Sequence, residues 1–134
     1  MDLAHVDDLI EGQDRGADLT IKHPVTGDEM PEIVFTVAGP DSNVQRRARL
    51  KLQDELYAFR KPPVEELDRL EIERLARCVV AWRVKRDGTD VPFTFTNVVR
   101  LLSSAEFIRE QVNAFATSRV AYFLRTPMVD EASA

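Results

Sequence analysis

The chain has 134 residues, which is enough for one domain with a sizeable buried core. Its formal net charge of -5 argues against non-specific binding to nucleic acid, because the phosphate backbone attracts net basic surfaces. The single cysteine, Cys78, excludes an intrachain disulfide and favours a reducing cytoplasm. No apolar run approaches the ~18 residues of a membrane span, and the acidic start of the chain lacks the basic region of a secretory signal.

Residues 1–16 are acidic, which predicts a mobile N-terminus or one weak helical turn. A single globular domain is predicted over residues 17–125. It begins with a β-hairpin over 17–38, because "DLTIK" and "EIVFTVA" alternate between apolar and polar side chains and the link between them is rich in turn formers. An isolated hairpin is only marginally stable, so we expect its apolar face to lie on the helices as a small lid.

The remainder of the domain has a helical apolar period and predicts about four helices, over residues 42–61, 63–83, 96–102 and 104–124. Pro62 and Pro63 separate the first helix from the second. Residues 126–134 have no such period and predict a flexible tail. The predicted fold is therefore α+β and mainly α: an N-terminal β-hairpin followed by about four helices packed as a small bundle.

Residues capable of catalysis are few and scattered. His5 and His23 are the two histidines, and neither has a cysteine or a second histidine at metal-ligand spacing. No serine lies in a nucleophile-elbow pattern, and the five glycines form no phosphate-binding loop. The sequence therefore predicts a non-enzymatic protein with no cofactor and no metal site, in which His23 belongs to the turn.

The strongest charge feature is the basic cluster "RRARLK", residues 46–51, on the first predicted helix. A solvated helix face is the simpler interpretation of this cluster. Contact with an acidic or phosphate-bearing partner is the functional interpretation, and a helical protein is at least as good a candidate as nucleic acid. Tyr57 and Phe59 are assigned to the core, so no aromatic residues interleave with the cations to stack on bases.

Four segments occur in a characteristic order and spacing: "IKHPVTGDE", "VAGPDSNVQRRARLK", "LARCVVAWR" and "PFTFTNVVRLLSSAEFIREQVNAFATSRVAYFL". Together they resemble the tail assembly chaperones of long-tailed, siphovirus-like phages and prophages. The resemblance covers roughly residues 19–124. The chain departs from that pattern in the long link "GDEMPEIV", which affects the register of the hairpin.

The resemblance implies a non-enzymatic protein of the bacterial host cytoplasm. It would bind the tape-measure protein and help to recruit the tail-tube protein during tail morphogenesis. The expected contact residues lie on the basic helix, on the last helix and in the hairpin loop: Arg46, Arg47, Arg49, Arg109, Gln111, His23 and Thr26. The strand edges of the hairpin are a second candidate docking surface, for a tube subunit by strand addition.

Two other classes stay open at this point. A structural tail or head–tail connector protein would remain in the finished particle, whereas a chaperone would leave it. A small nucleic-acid-associated regulatory protein would use "RRARLK", although the net acidic charge counts against it. A second copy of the chain could also close an uncovered apolar helix face, so a homo-oligomer stays open. No nucleic acid and no membrane are expected as partners.

Overall fold

The computed structural model describes residues 2–123, and the predicted tail over 126–134 lies outside this range. The elements follow one another in the order α1 (Leu3–Arg15), β1 (Ala17–Lys22), β2 (Glu29–Val37), α2 (Asn43–Tyr57), α3 (Val64–Cys78), β3 (Val79–Arg86), β4 (Thr89–Asp90), α4 (Phe95–Ser104), α5 (Glu106–Ala116) and α6 (Arg119–Phe123). The strands form one antiparallel sheet in the order β1–β2–β3–β4.

The predicted arrangement of one N-terminal hairpin followed by a helical bundle is wrong, because strands and helices are interspersed along the chain. The predicted helix over 63–83 ends at Cys78, and the chain continues directly as strand β3. Trp82 lies at helical spacing from earlier apolar residues. It is also two residues from Val80 and from Val84, which is the spacing of side chains on one face of a strand. The β-branched and aromatic side chains favour the strand, which supplies β2 with a partner along its second edge.

The other helix boundaries also differ from the predicted ones, which were 42–61, 96–102 and 104–124. Helices α2 and α4 occupy Asn43–Tyr57 and Phe95–Ser104, and the last predicted helix is divided into α5 and α6. The division occurs where the Thr117 hydroxyl donates to the carbonyls of Asn113 and Ala114, at 3.1 Å each. Ser118 then accepts a hydrogen bond from the Ala121 N–H at 3.3 Å, which opens α6.

The segment predicted to be mobile, residues 1–16, contains the helix α1. The carboxylate of Asp2 accepts a hydrogen bond from the His5 N–H at 3.2 Å and so caps the start of α1. Gln13, near its end, is only 2% exposed, and its Oε1 accepts from the Asp41 N–H at 2.7 Å. Although this segment is acidic, it therefore forms a helix, and the buried amide side chain of Gln13 docks that helix against the rest of the protein.

The hydrophobic core lies between the helices and one face of the sheet. Phe35 and Trp82 are cross-strand neighbours on this face, with their rings edge to face and their centroids 5.8 Å apart. Helices α3, α4 and α5 complete the core with Ile72, Leu75, Val98, Leu102, Ile108 and Val112. On the other face the Thr36 hydroxyl donates to Asp18 at 2.7 Å, and Arg83 lies 3.6 Å from the same carboxylate.

Polar contacts in its first turn fix the position of α2. Ser42 caps the helix by accepting from the Gln45 N–H at 3.1 Å. Gln45 is 5% exposed, and its Nε2 donates to the carbonyls of Ala38 and Ala116 at 2.8 Å each. Buried polar groups that are satisfied in this way specify one orientation. These contacts anchor α2 on the protein, and the outer face of the helix, which points away from the core, is exposed to solvent.

Candidate partner-binding surfaces

The outer face of α2 carries the basic cluster. Arg46, Arg47 and Lys51 are exposed, and none of them has an ion pair within residues 2–123. Arg49 is exposed as well. Hydrogen bonds from Arg119 hold the pKa of Asp41 below its usual range, and the charge of Arg49 adds to this effect. Three of the predicted contact residues, those at 46, 47 and 49, therefore lie together on one helix.

A shallow groove of about 320 Å³ runs between α2 and α3. It is lined by two small apolar side chains and three cations: Val44, Ala48, Arg47, Lys51 and Arg77. Arg77 lies over the ring of Phe95, 5.0 Å from its centroid, and 3.6 Å from the carboxylate of Glu55. The other two cations have no such partner in the described part of the chain. The groove is therefore net positive and suits an anionic group.

A second candidate surface, which we call the apolar corner, is defined by four exposed apolar residues that lie close together in the sequence around the turn between α2 and α3: Tyr57, Phe59, Val64 and Leu67. Tyr57 is 93% exposed and Val64 is 79% exposed, and the other two are each 39% exposed. The assignment of Tyr57 and Phe59 to the core is therefore wrong. The proline pair at 62–63 indicates a break between the two helices, but it does not indicate which side chains around the break are exposed. Clustered exposed apolar side chains are typical of interaction sites.

The hairpin loop is structured by its own side chains. His23 Nδ1 accepts hydrogen bonds from the N–H groups of Val25 and Thr26, at 3.1 and 3.2 Å. The Thr26 hydroxyl accepts from the Asp28 N–H at 3.2 Å, and Gly27 adopts a φ of 76°. His23 and Thr26 thus shape the turn, and Val25 at its tip is 86% exposed. Their predicted contact with a partner stays a prediction.

Arg109 and Gln111, the contact residues predicted on the last helix, lie on α5. Arg109 bridges two elements, since it lies 3.9 Å from Asp68 of α3 and 3.3 Å from Glu106 of α5. Gln111 binds the backbone of Lys22 on β1: its Oε1 accepts from the N–H at 2.9 Å and its Nε2 donates to the carbonyl at 2.8 Å. Both side chains already have intramolecular partners, which leaves them less available to another protein.

The sheet limits strand addition to its outer edges. Strand β2 is paired on both sides, so the hairpin is one half of a four-stranded sheet and not a separate lid, with β1 at the edge of that sheet. The outer edge of β1 is occupied at Lys22 by Gln111, and β4 has only two residues. A docking strand would therefore have to use the rest of the outer edge of β1 or the part of β3 that β4 does not pair with.

Within residues 2–123 no three His, Cys, Asp or Glu side chains gather as the ligands of a metal ion would. Burial raises the pKa of the Cys78 thiol, which disfavours the reactive thiolate. None of the described helices is long and apolar enough to cross a bilayer.

No protein-family model matches the sequence, and comparisons with curated proteins and with solved structures find no match either. The surfaces on α2 and at the apolar corner are therefore the strongest functional features.

Proposed function

We propose that the protein is a tail assembly chaperone of a phage or prophage. It binds the tape-measure protein in the bacterial host cytoplasm, helps to recruit tail-tube subunits, and catalyses no reaction. The sequence motifs over residues 19–124 support this proposal, and the observation that carries it is the apolar corner beside the basic helix α2.

The apolar corner has the properties that such a chaperone needs. Tape-measure chains are long and helical, and their apolar stripes aggregate unless another protein covers them. Burying an exposed side chain such as Tyr57 or Val64 against such a stripe contributes on the order of 1.5 to 3 kcal/mol. The formal charge of -5 on the chaperone then helps to keep the complex in solution.

Co-expression tests the proposal directly. The chain is expressed with the longest helix-rich protein encoded in its own gene cluster, and the soluble fraction of that long protein is measured with and without the chain. We expect the soluble fraction to rise several-fold and the two proteins to co-purify. If the long protein is equally insoluble in both cases, the proposed function is wrong.

A matched pair of variants tests whether the apolar corner is the surface used. Val64→Asp places a charge in the corner, whereas Val25→Asp makes the same change at the hairpin tip, where exposure is similar. Aspartate suits position 64, because it lies in the first turn of α3. We expect the Val64 variant to lose most of the co-purified protein and the Val25 variant to retain it. Equal retention by both variants would exclude the corner as the binding surface.

A further inference from the structure

Two exposed apolar side chains lie along the outer face of α2. Leu50 is 47% exposed and Tyr57 is 93% exposed. They are seven residues apart, which is two turns of an α-helix, so they lie on the same side of α2. This side points away from the core, because the buried positions of α2 are Gln45 and Ala48. The outer face thus carries a short apolar stripe in addition to the one that packs inward.

Unpaired cations flank this stripe at its N-terminal end. Arg46 and Arg47 precede Leu50 by four and three residues, so they lie one turn before it on either side of the stripe. Lys51 follows Leu50 on the side of the basic groove. Elsewhere several arginines of the described chain are paired with carboxylates, for example Arg69 and Arg74 on α3. Cations without an ion pair occur elsewhere in the described chain, for example Arg86 and Arg100, but α2 carries four of them within six residues, in a protein whose net charge is acidic.

We propose that the outer face of α2 binds an amphipathic helix whose apolar stripe is flanked by carboxylates. This inference rests on the proposed function, and its occupant is a helical segment of the tape-measure protein. Apolar residues of that segment would cover Leu50 and Tyr57, while Asp or Glu side chains would pair with Arg46, Arg47 and Lys51. Asp54 is four residues after Leu50 and three before Tyr57, so it lies on the same face between them; the bound segment would therefore carry its carboxylates opposite the first turns of α2 and a polar or basic residue opposite Asp54.

Two other occupants fit this face less well. A second copy of the chain in a two-fold dimer would offer a single exposed carboxylate of α2, Asp54, to the cations Arg46, Arg47 and Lys51, so most of this positive charge would stay uncompensated. Nucleic acid would pair with the cations but would leave Leu50 and Tyr57 uncovered, and the net charge of -5 opposes it. A helix with flanking carboxylates satisfies both the charges and the apolar stripe.

Synthetic peptides test the chemistry of this face in the full chain. The probe is a helical peptide about three heptads long, with leucines in its core positions and glutamates beside them. A second peptide has lysines in place of the glutamates. We expect the glutamate peptide to bind, to shift the backbone amide resonances of α2 and to bind more weakly as salt is added. The lysine peptide is expected not to bind.

Charge reversal tests which residues are responsible. Arg46→Glu combined with Arg47→Glu should weaken binding of the glutamate peptide by about tenfold or more. Glutamate is favourable near the start of a helix, so α2 should remain folded. Arg86→Glu combined with Arg100→Glu makes the same change of charge at exposed arginines on β3 and α4 and should leave the affinity within about twofold.

Several outcomes would overturn the inference. The first is that the lysine peptide binds as tightly as the glutamate peptide, and the second is that a double-stranded oligonucleotide binds more tightly than the glutamate peptide. The third is self-association of the chain through α2. The fourth is that the glutamate peptide shifts only resonances that lie outside α2. If the long partner is solubilised in co-expression but the glutamate peptide does not bind, the inference fails and the proposed function stands. If the peptide binds but the partner stays insoluble, the proposed function fails together with the tape-measure protein as the occupant, and only the preference of this face for an acidic amphipathic helix stands.

Discussion

Asp41 joins three separate parts of the chain. Its backbone N–H donates to Gln13 of α1 at 2.7 Å, and its carboxylate accepts hydrogen bonds from Arg119 of α6 at 2.8 and 3.0 Å. The bonds from Arg119 are the main reason why the pKa of Asp41 is lowered, and burial acts in the opposite direction. A carboxyl whose pKa is lowered on folding stabilises the protein above its unfolded pKa. That stabilisation is lost as the pH falls through the folded pKa.

We therefore expect Asp41→Asn to lower the stability at neutral pH and to have a smaller effect below about pH 4, near the pKa of an unfolded aspartate. From that pH downward the stabilisation by the wild-type carboxyl declines, and it is lost when the pH falls through the lowered folded pKa, where the carboxyl becomes protonated and gives up its ion pair with Arg119. Urea midpoints of both proteins, followed by the fluorescence of Trp82 between about pH 7 and pH 3, measure this difference. A difference that does not change with pH would contradict the assigned role of the ion pair.

At the scale of elements, α1 depends on a close approach of two chain segments. The Gly39 N–H donates to the carbonyl of Gln13 at 2.9 Å. A Cβ atom on Gly39 would lie 2.5 Å from Gln13 Oε1 and 2.6 Å from its Cγ, closer than such atoms can approach. Only glycine therefore allows the end of α1 to dock against the loop that leads into α2.

We expect Gly39→Ala to undock α1 and to lower the free energy of unfolding by about 1 to 3 kcal/mol, since the extra methyl overfills a tight contact. Gly12→Ala, inside α1, meets no atom closer than 3.6 Å and should stabilise the helix by up to about 1 kcal/mol. Hydrogen exchange of the α1 amides measures both effects, with faster exchange expected only in the Gly39 variant. Unchanged exchange in that variant would mean that the loop can move away without releasing α1.

At the scale of the whole molecule, the hairpin supplies two of the four strands of the sheet. It supplies Ile21, Phe35 and Val37, each fully buried, and β2 pairs with β3 along its second edge. Loss of a buried phenylalanine alone costs about 3 to 5 kcal/mol, and a whole domain is stable by only about 5 to 15 kcal/mol. The fold therefore cannot exist without the hairpin.

Deletion of residues 20–37 should accordingly abolish cooperative unfolding rather than remove one binding function. Circular dichroism on heating measures this, and Val25→Asp at the exposed tip is the control that should keep the cooperative transition. A deletion variant that still unfolds cooperatively would restore the hairpin to the role of a separate lid.

The candidate site was only partly predictable. The grouping of Arg46, Arg47 and Arg49 depends on helical spacing, which is local. The intramolecular bonds of Gln111 depend on Lys22, which is 89 residues away in the chain. The exposure of Tyr57 depends on where the α2–α3 pair ends relative to the sheet, and no helical period contains that information.

By itself the sequence determined what neighbouring residues decide: the shared strand face of Leu19 and Ile21, that of Phe35 and Val37, and the presence of a break between two helices near the proline pair. Only the tertiary structure decided that Val79–Arg86 is a strand and that α1 is docked. The physical reason is that both depend on distant partners. The edge of β2 stabilises β3 as a strand, and the loop at 39–41 supplies the hydrogen bonds that hold Gln13.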